Sequence, residues 1–155
     1  MKQLLFSILF VFLFSKMSFS AGDKRLEYSV KGTSADKAKP GQAKVILELK
    51  NLTGDTLIFL TWSCHPFRSL LSIDEEEVSL APIACSGNSP AFLKLLPHNS
   101  YMDTVEVRSN RDNMIYPFRV KINLVEPKEK GNAGLAQKEA DKKRFSFLTD
   151  IISVK

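Results

Sequence analysis

The chain is poor in the residues from which most enzyme sites are built. Its 155 residues include two cysteines, two histidines and one tryptophan. Two histidines leave little material for a hydrolytic triad, no G-x-S-x-G elbow occurs, and no C-x-x-C motif supports thiol oxidoreductase chemistry. Charge of one sign is lacking too. The 22 basic residues face 17 acidic ones, and the resulting net +5 is no electrostatic footprint for nucleic acid. Beyond the first 20 residues no apolar run approaches the roughly 20 residues that cross a bilayer. No internal repeat is visible.

What is present begins with the pattern of an export signal. Lys2 supplies positive charge, Leu4 to Phe14 is apolar except for Ser7, and Ser18-Phe19-Ser20 offers small residues to a signal peptidase. The reading is a signal peptide over 1–20 that leaves Ala21 as the new N-terminus; Lys16, after the apolar run, also allows an uncleaved anchor. No cysteine follows the run closely enough to accept a lipid at that point. Without residues 1–20 the chain loses five of its 11 phenylalanines, and its charge falls to +3, 20 basic against 17 acidic residues. Residues 21–155 suffice for a single domain with a real core and no membrane span. Outside the cytosol the two cysteines, Cys64 and Cys85, are expected to pair. Closing a loop of about 20 residues contributes about 3 kcal/mol.

The rest of the chain reads as short strands and polar turns. Lys44 to Lys50 alternates, with Val45, Leu47 and Leu49 on one face. Leu57 to Trp62 is almost continuously apolar, as a strand covered on both faces would be. Between them Asn51 to Asp55 (NLTGD) carries turn residues, and the expectation is a hairpin joining the two strands. Leu26–Val30, Ser69–Ile73, the VSLAPIA segment, Phe92–Leu96 and Tyr101–Arg108 add shorter strands. Tyr116 to Leu124 has the clearest alternation, placing Tyr116, Phe118, Val120, Ile122 and Leu124 together, and a final strand over Phe145–Val154 is its expected neighbour. Residues 127–144 are charged and short of large apolar side chains, which predicts a long exposed loop with at most one or two unanchored helical turns. Seven to nine short strands with little helix predict an all-β, antiparallel, immunoglobulin-like sandwich.

Three constellations bear on chemistry. His65, Cys85, His98 and Met102 occur in the order of a blue-copper ligand set. Cys85 and His98 nevertheless stand 13 positions apart, not on one short loop, and Cys64 is then unexplained. His65 adjoins Cys64 in sequence, yet neighbours on a strand point to opposite faces, so it is badly placed to activate a cysteine nucleophile. The acidic run Asp74 to Glu77 matches no calcium loop and reads as a solvated turn. Asn51-Leu52-Thr53 fits a glycosylation sequon, although a tight turn explains both polar residues. The stretch from Lys138 to Arg144 (KEADKKR) is basic enough to touch anionic lipid, glycan or protein, but lacks the interleaved aromatics of nucleic-acid binders.

KVILELKNLTGDTLIFLTWSC resembles the early hairpin of secreted bacterial immunoglobulin-like domains of unassigned function, and YPFRVKINL with a terminal strand after a long loop looks similar as well. The resemblance covers about half of residues 21–155. A more distant likeness is to the bacillar intracellular proteinase inhibitor, from which this chain departs in its apolar start and its cysteines. Antibody-type domains bridge two strands flanking the tryptophan strand, whereas Cys64 follows Trp62 on the same one. Fold likeness carries no active residues across. The expectation is an exported, non-enzymatic module without cofactor that binds a protein or glycan or serves an envelope system, using the loop His65, Pro66, Phe67 and Arg68. Two alternatives are a small copper or redox protein, and a protease inhibitor presenting Arg68.

Overall fold

The computed structural model describes residues 23–112 and 114–154. The expected signal peptide over 1–20 lies outside them. Nine strands are found among the described residues: β1 (Leu26–Ala35), β2 (Gln42–Asn51), β3 (Leu57–Trp62), β4 (Leu71–Ile73), β5 (Val78–Leu80), β6 (Pro90–Leu95), β7 (Ser100–Ser109), β8 (Val120–Glu126) and β9 (Lys143–Leu148). A 3-10 turn at Arg68–Leu70 and a helix, α1 (Ala133–Lys138), complete the set. The strands form three antiparallel sheets, ordered β1-β2-β7-β5, β3-β6 and β4-β8-β9. The chain is all-β as expected, and the final strand does pair with the segment after Tyr116, from Lys121↔Leu148 to Glu126↔Lys143.

Alternation sets the core. Ala43, Val45, Leu47 and Leu49 on β2 are buried, and they meet Phe59 of β3, Val105 and Val107 of β7, and Phe118, Val120, Ile122 and Leu124 in one cluster drawn from all three sheets. Phe118 joins the β8–β9 sheet through an isolated bridge to Ile152, so the regular strand begins at Val120 and not at Tyr116. Tyr116 is half-buried against the rim of the core and donates its hydroxyl to Asp112 Oδ2 at 2.6 Å.

The expected hairpin between the second and third strands is not formed. β2 pairs with β1 and β7, whereas β3 pairs with β6. NLTGD is therefore an arch carrying the chain from one sheet to another. The β6–β7 connection makes the reverse passage beside it, since β2 pairs with β7 up to Lys50↔Ser100 and β3 pairs with β6 from Leu57↔Leu95. The two arches are laced together by Asn51 N to Asn99 O at 2.9 Å and His98 N to Thr53 O at 3.2 Å. Both strands are apolar on the parity that faces the core, and an arch lets two such faces meet across it.

The segment 127–144 is mostly exposed, as expected, but its helical turns are anchored. Asn132 caps α1 by accepting from Leu135 N at 3.1 Å, and the Glu139 carboxylate beyond the helix accepts from Lys128 N and Glu129 N at 3.0 and 2.6 Å. α1 packs on β3 and β6, with Ala136 fully buried. A search for large apolar residues passes over alanine, whose small side chain allows the close approach. β9 then begins at Lys143, inside the stretch expected to be loop.

Candidate functional site

After Trp62 the chain leaves β3 and is fixed at several points. Ser63 N donates to Ser89 O at 2.8 Å, and Cys64 is bonded to Cys85 with Cα atoms 6.2 Å apart. His65 takes a left-handed backbone, φ 55°, which costs a non-glycine residue energy and persists where its surroundings hold it. Phe67 is buried and stacks on Tyr101 of β7, ring centroids 5.2 Å apart. The Thr61 hydroxyl donates to Pro66 O and lies 2.7 Å from Ser69 Oγ, which itself donates to Pro66 O at 2.9 Å. The loop is thus tied from both ends and from below.

Opposite this loop β5 pairs with β7 only over Val107 to Ser109. Ala81 N adds one further bond, to Glu106 O at 2.8 Å, and the chain then departs toward Cys85. The departure opens a cleft of about 350 Å³ lined by His65, Arg68, the segment from Ala81 to Ala84, and Asp103 to Glu106 of β7. The Arg68 guanidinium turns inward and donates to Ala81 O. Burial lowers its pKa, while Asp103 and Glu106 oppose the shift and favour the cation. Asp103 accepts from Thr104 N at 2.8 Å, so a carboxylate occupies one backbone donor of the strand. Burial, then the Asp103 charge, raises the pKa of Tyr101.

The structure brings together some of the residues singled out in the sequence and separates others. Cys64 and Cys85 are joined, and His65 and Arg68 line the cleft. Pro66 contributes its carbonyl to the Thr61 and Ser69 hydroxyls, and Phe67 belongs to the core, which corrects its place on an exposed binding loop. Trp62 is 36% exposed, on the parity opposite buried Thr61, so the cover expected on both faces of this strand stops short of its last residue. Because β3 stops at Trp62, strand parity does not reach Cys64 or His65. His98, with φ 56°, sits in the β6–β7 arch next to Thr53, and Met102 points outward, 63% exposed. With Cys85 in a disulfide, the copper set is not assembled, and no three His, Cys, Asp or Glu side chains converge on a metal among the described residues. The acidic turn is tied instead by Asn110 Nδ2 to Glu76 O at 2.8 Å and by Arg111 to Glu77 at 3.5 Å.

No family model, curated protein or solved structure matches the chain. What the cleft can do therefore rests on its own chemistry. It offers a cation flanked by two carboxylates, an imidazole on a fixed loop, and the edge of β7 before Val107, which among the described residues has no strand paired to it on the side that β5 leaves. Such a surface suits extended chains, whose backbone groups complement a strand edge while side chains meet the charges. Sequence reasoning missed Asp103 and Glu106. Asp103 left a signal: it shares the apolar parity of Tyr101, Val105 and Val107, where an acid marks an edge or a site.

Proposed function

We propose that the chain is an exported, immunoglobulin-like sandwich that binds a macromolecular partner without turnover, with the cleft beside the Cys64–Cys85 bridge as its recognition surface. In this reading β3–β6 and β4–β8–β9 act as one layer facing β1–β2–β7–β5, and a protein segment in extended form is the partner. The observation that carries it is Arg68, drawn into a cleft between Asp103 and Glu106 on a loop anchored by Phe67 and the disulfide. A disulfide in an oxidising compartment and the export pattern of residues 1–20 support the location. Among the described residues no helix is long and apolar enough to cross a membrane. An inhibitor would need to present Arg68 outward; its inward guanidinium favours the cleft reading.

A photocrosslinking residue at Ile83, exposed on the cleft rim, tests this in the secreting cell, with the more exposed Ile151 as a control away from the cleft. The expected outcome is one adduct of discrete mass from position 83, lost on Arg68→Ala. Equal, diffuse labelling at both positions would sink the proposal. N-terminal sequencing of the exported protein should begin at Ala21.

A further inference from the structure

A second concavity, about 210 Å³, lies on the outer face of the molecule at the seam between β3, β8 and β9, with α1 at its rim. Its lining includes Trp62, Asn123, Val125, Gln137, Lys142 and Arg144. We propose that this trough binds a sugar unit carrying a carboxylate, one ring of an anionic glycan.

Four observations carry the assignment. First, the exposed indole of Trp62 ends β3 on the outward parity, where its apolar face meets solvent. A large amphipathic ring of this kind stacks against the C–H face of a pyranose. Second, amides with the donor and acceptor pattern that ring hydroxyls need stand beside it. Asn123 is held in orientation by Nδ2 to Ser72 Oγ at 3.3 Å and by Ser146 Oγ to its Oδ1 at 3.0 Å, and the second Nδ2 hydrogen remains for a ligand. Third, the charges of the KEADKKR stretch are sorted. Glu139 is turned to the backbone of Lys128 and Glu129, and Asp141 lies 3.8 Å from Lys128 Nζ. Lys142 and Arg144 line the trough, and Arg144 makes no ion pair among the described residues. An arginine there receives a carboxylate in two parallel hydrogen bonds. Fourth, the volume is below the roughly 300 Å³ at which drug-sized pockets begin, which suits one ring with its neighbours in solvent. Single-stranded nucleic acid is the competing ligand, but its grooves set several aromatics along a basic track, and one indole with two cations makes no track.

Trp62 is the only tryptophan in the chain, so its fluorescence reports this site alone. The full exported chain is titrated with an oligosaccharide containing glucuronate, with the carboxyl-reduced form of the same oligosaccharide, and with a single-stranded oligothymidylate. A saturable change in emission with the first is expected, weakened about tenfold or more by carboxyl reduction and by Arg144→Gln. Arg144→Gln should leave the thermal midpoint and the unliganded emission maximum unchanged, which separates lost binding from lost fold. Arg68→Ala should leave this titration unaffected, so failure here and failure of the cleft beside the disulfide are distinguishable. Absence of any saccharide response, an equal response to the reduced form, or tighter binding of the oligothymidylate would each overturn the assignment.

Discussion

Asn51 shows how much one side chain holds. It is fully buried, and its Nδ2 donates to Asp55 O at 2.7 Å and to Leu95 O and Leu96 O, both at 3.1 Å. Its Oδ1 accepts from Thr53 N at 2.9 Å and from Thr53 Oγ1 at 2.8 Å. Both residues of the apparent glycosylation sequon are thus spent on joining the two arches, and the amide is committed inside the protein. Removing it leaves buried carbonyls without their donor, a loss of about 1–3 kcal/mol for each group stranded. Asn51→Ala should therefore cost about 3 kcal/mol and lower the thermal midpoint by roughly 10 °C in calorimetry. Thr53→Val, which removes one hydroxyl and leaves the Asn51 amide in place, should cost about 1 kcal/mol. A loss under about 1 kcal/mol for Asn51→Ala would show that water replaces the amide and that the arches do not depend on it.

At the scale of elements, strand existence was legible, and of the pairings the β8–β9 one was legible while the partners of β2 and β3 were not. Alternation in β2 and β8 placed their buried residues correctly, because period two is a local property of the chain. Whether NLTGD closes a hairpin or an arch depends on which faces meet across the core, and both choices satisfy the same turn residues. The near-continuous apolar run of β3 did signal cover on two faces; the second cover is α1, whose alanine gave no amphipathic pattern. Of the cleft, the sequence showed His65, Arg68 and the cysteine pair. Asp103 and Glu106 became partners only once β5 parted from β7. Ala136→Glu tests the helix: a buried charge facing β3 and β6 should cost about 3 kcal/mol and raise amide exchange across residues 133–138 first. If stability is unchanged, α1 is not held by that contact. The disulfide tests the other flank. Cys64→Ser with Cys85→Ser should lose about 3 kcal/mol, with the largest gain in hydrogen exchange over residues 81–89, where the bridge and the Ser63–Ser89 bond hold the segment. Uniform acceleration across β2 and β7 instead would mean that the bridge only lowers global stability.

Over the described residues the molecule is three sheets around one core, and its coherence depends on side chains that tie one sheet to another. Asn51 does so at the arches and the Phe67–Tyr101 stack does so beneath the cleft. A third tie is charged. Arg25, just before β1, donates to Asp23 Oδ2 through Nε at 2.7 Å and reaches Glu126 Oε2 at the end of β8 at 2.9 Å, with its guanidinium 5.5 Å from the centre of the Phe145 ring. Hydrogen bonds from Arg25 hold the carboxyls of both Asp23 and Glu126 below their ordinary values of 3.8 and 4.5, against the opposing effect of burial. Because the folded values are depressed, the unfolded chain binds these protons first on acidification. Their contribution is complete above the ordinary carboxylate range and disappears as pH falls from about 4.5 through the lowered folded values. Glu48, lowered by Lys31, and Asp112, lowered by Tyr116, add to the same trend. The thermal midpoint should therefore stay level from pH 7 to about 5 and decline below that. Arg25→Gln should lower it at pH 7 and make the acid decline shallower without abolishing it, since Glu48 and Asp112 keep their partners. The check is a series of melts from pH 7 to 3 on both proteins. Parallel acid limbs would mean that Arg25 does not hold these carboxylates, and that its guanidinium acts there through the face of the Phe145 ring alone.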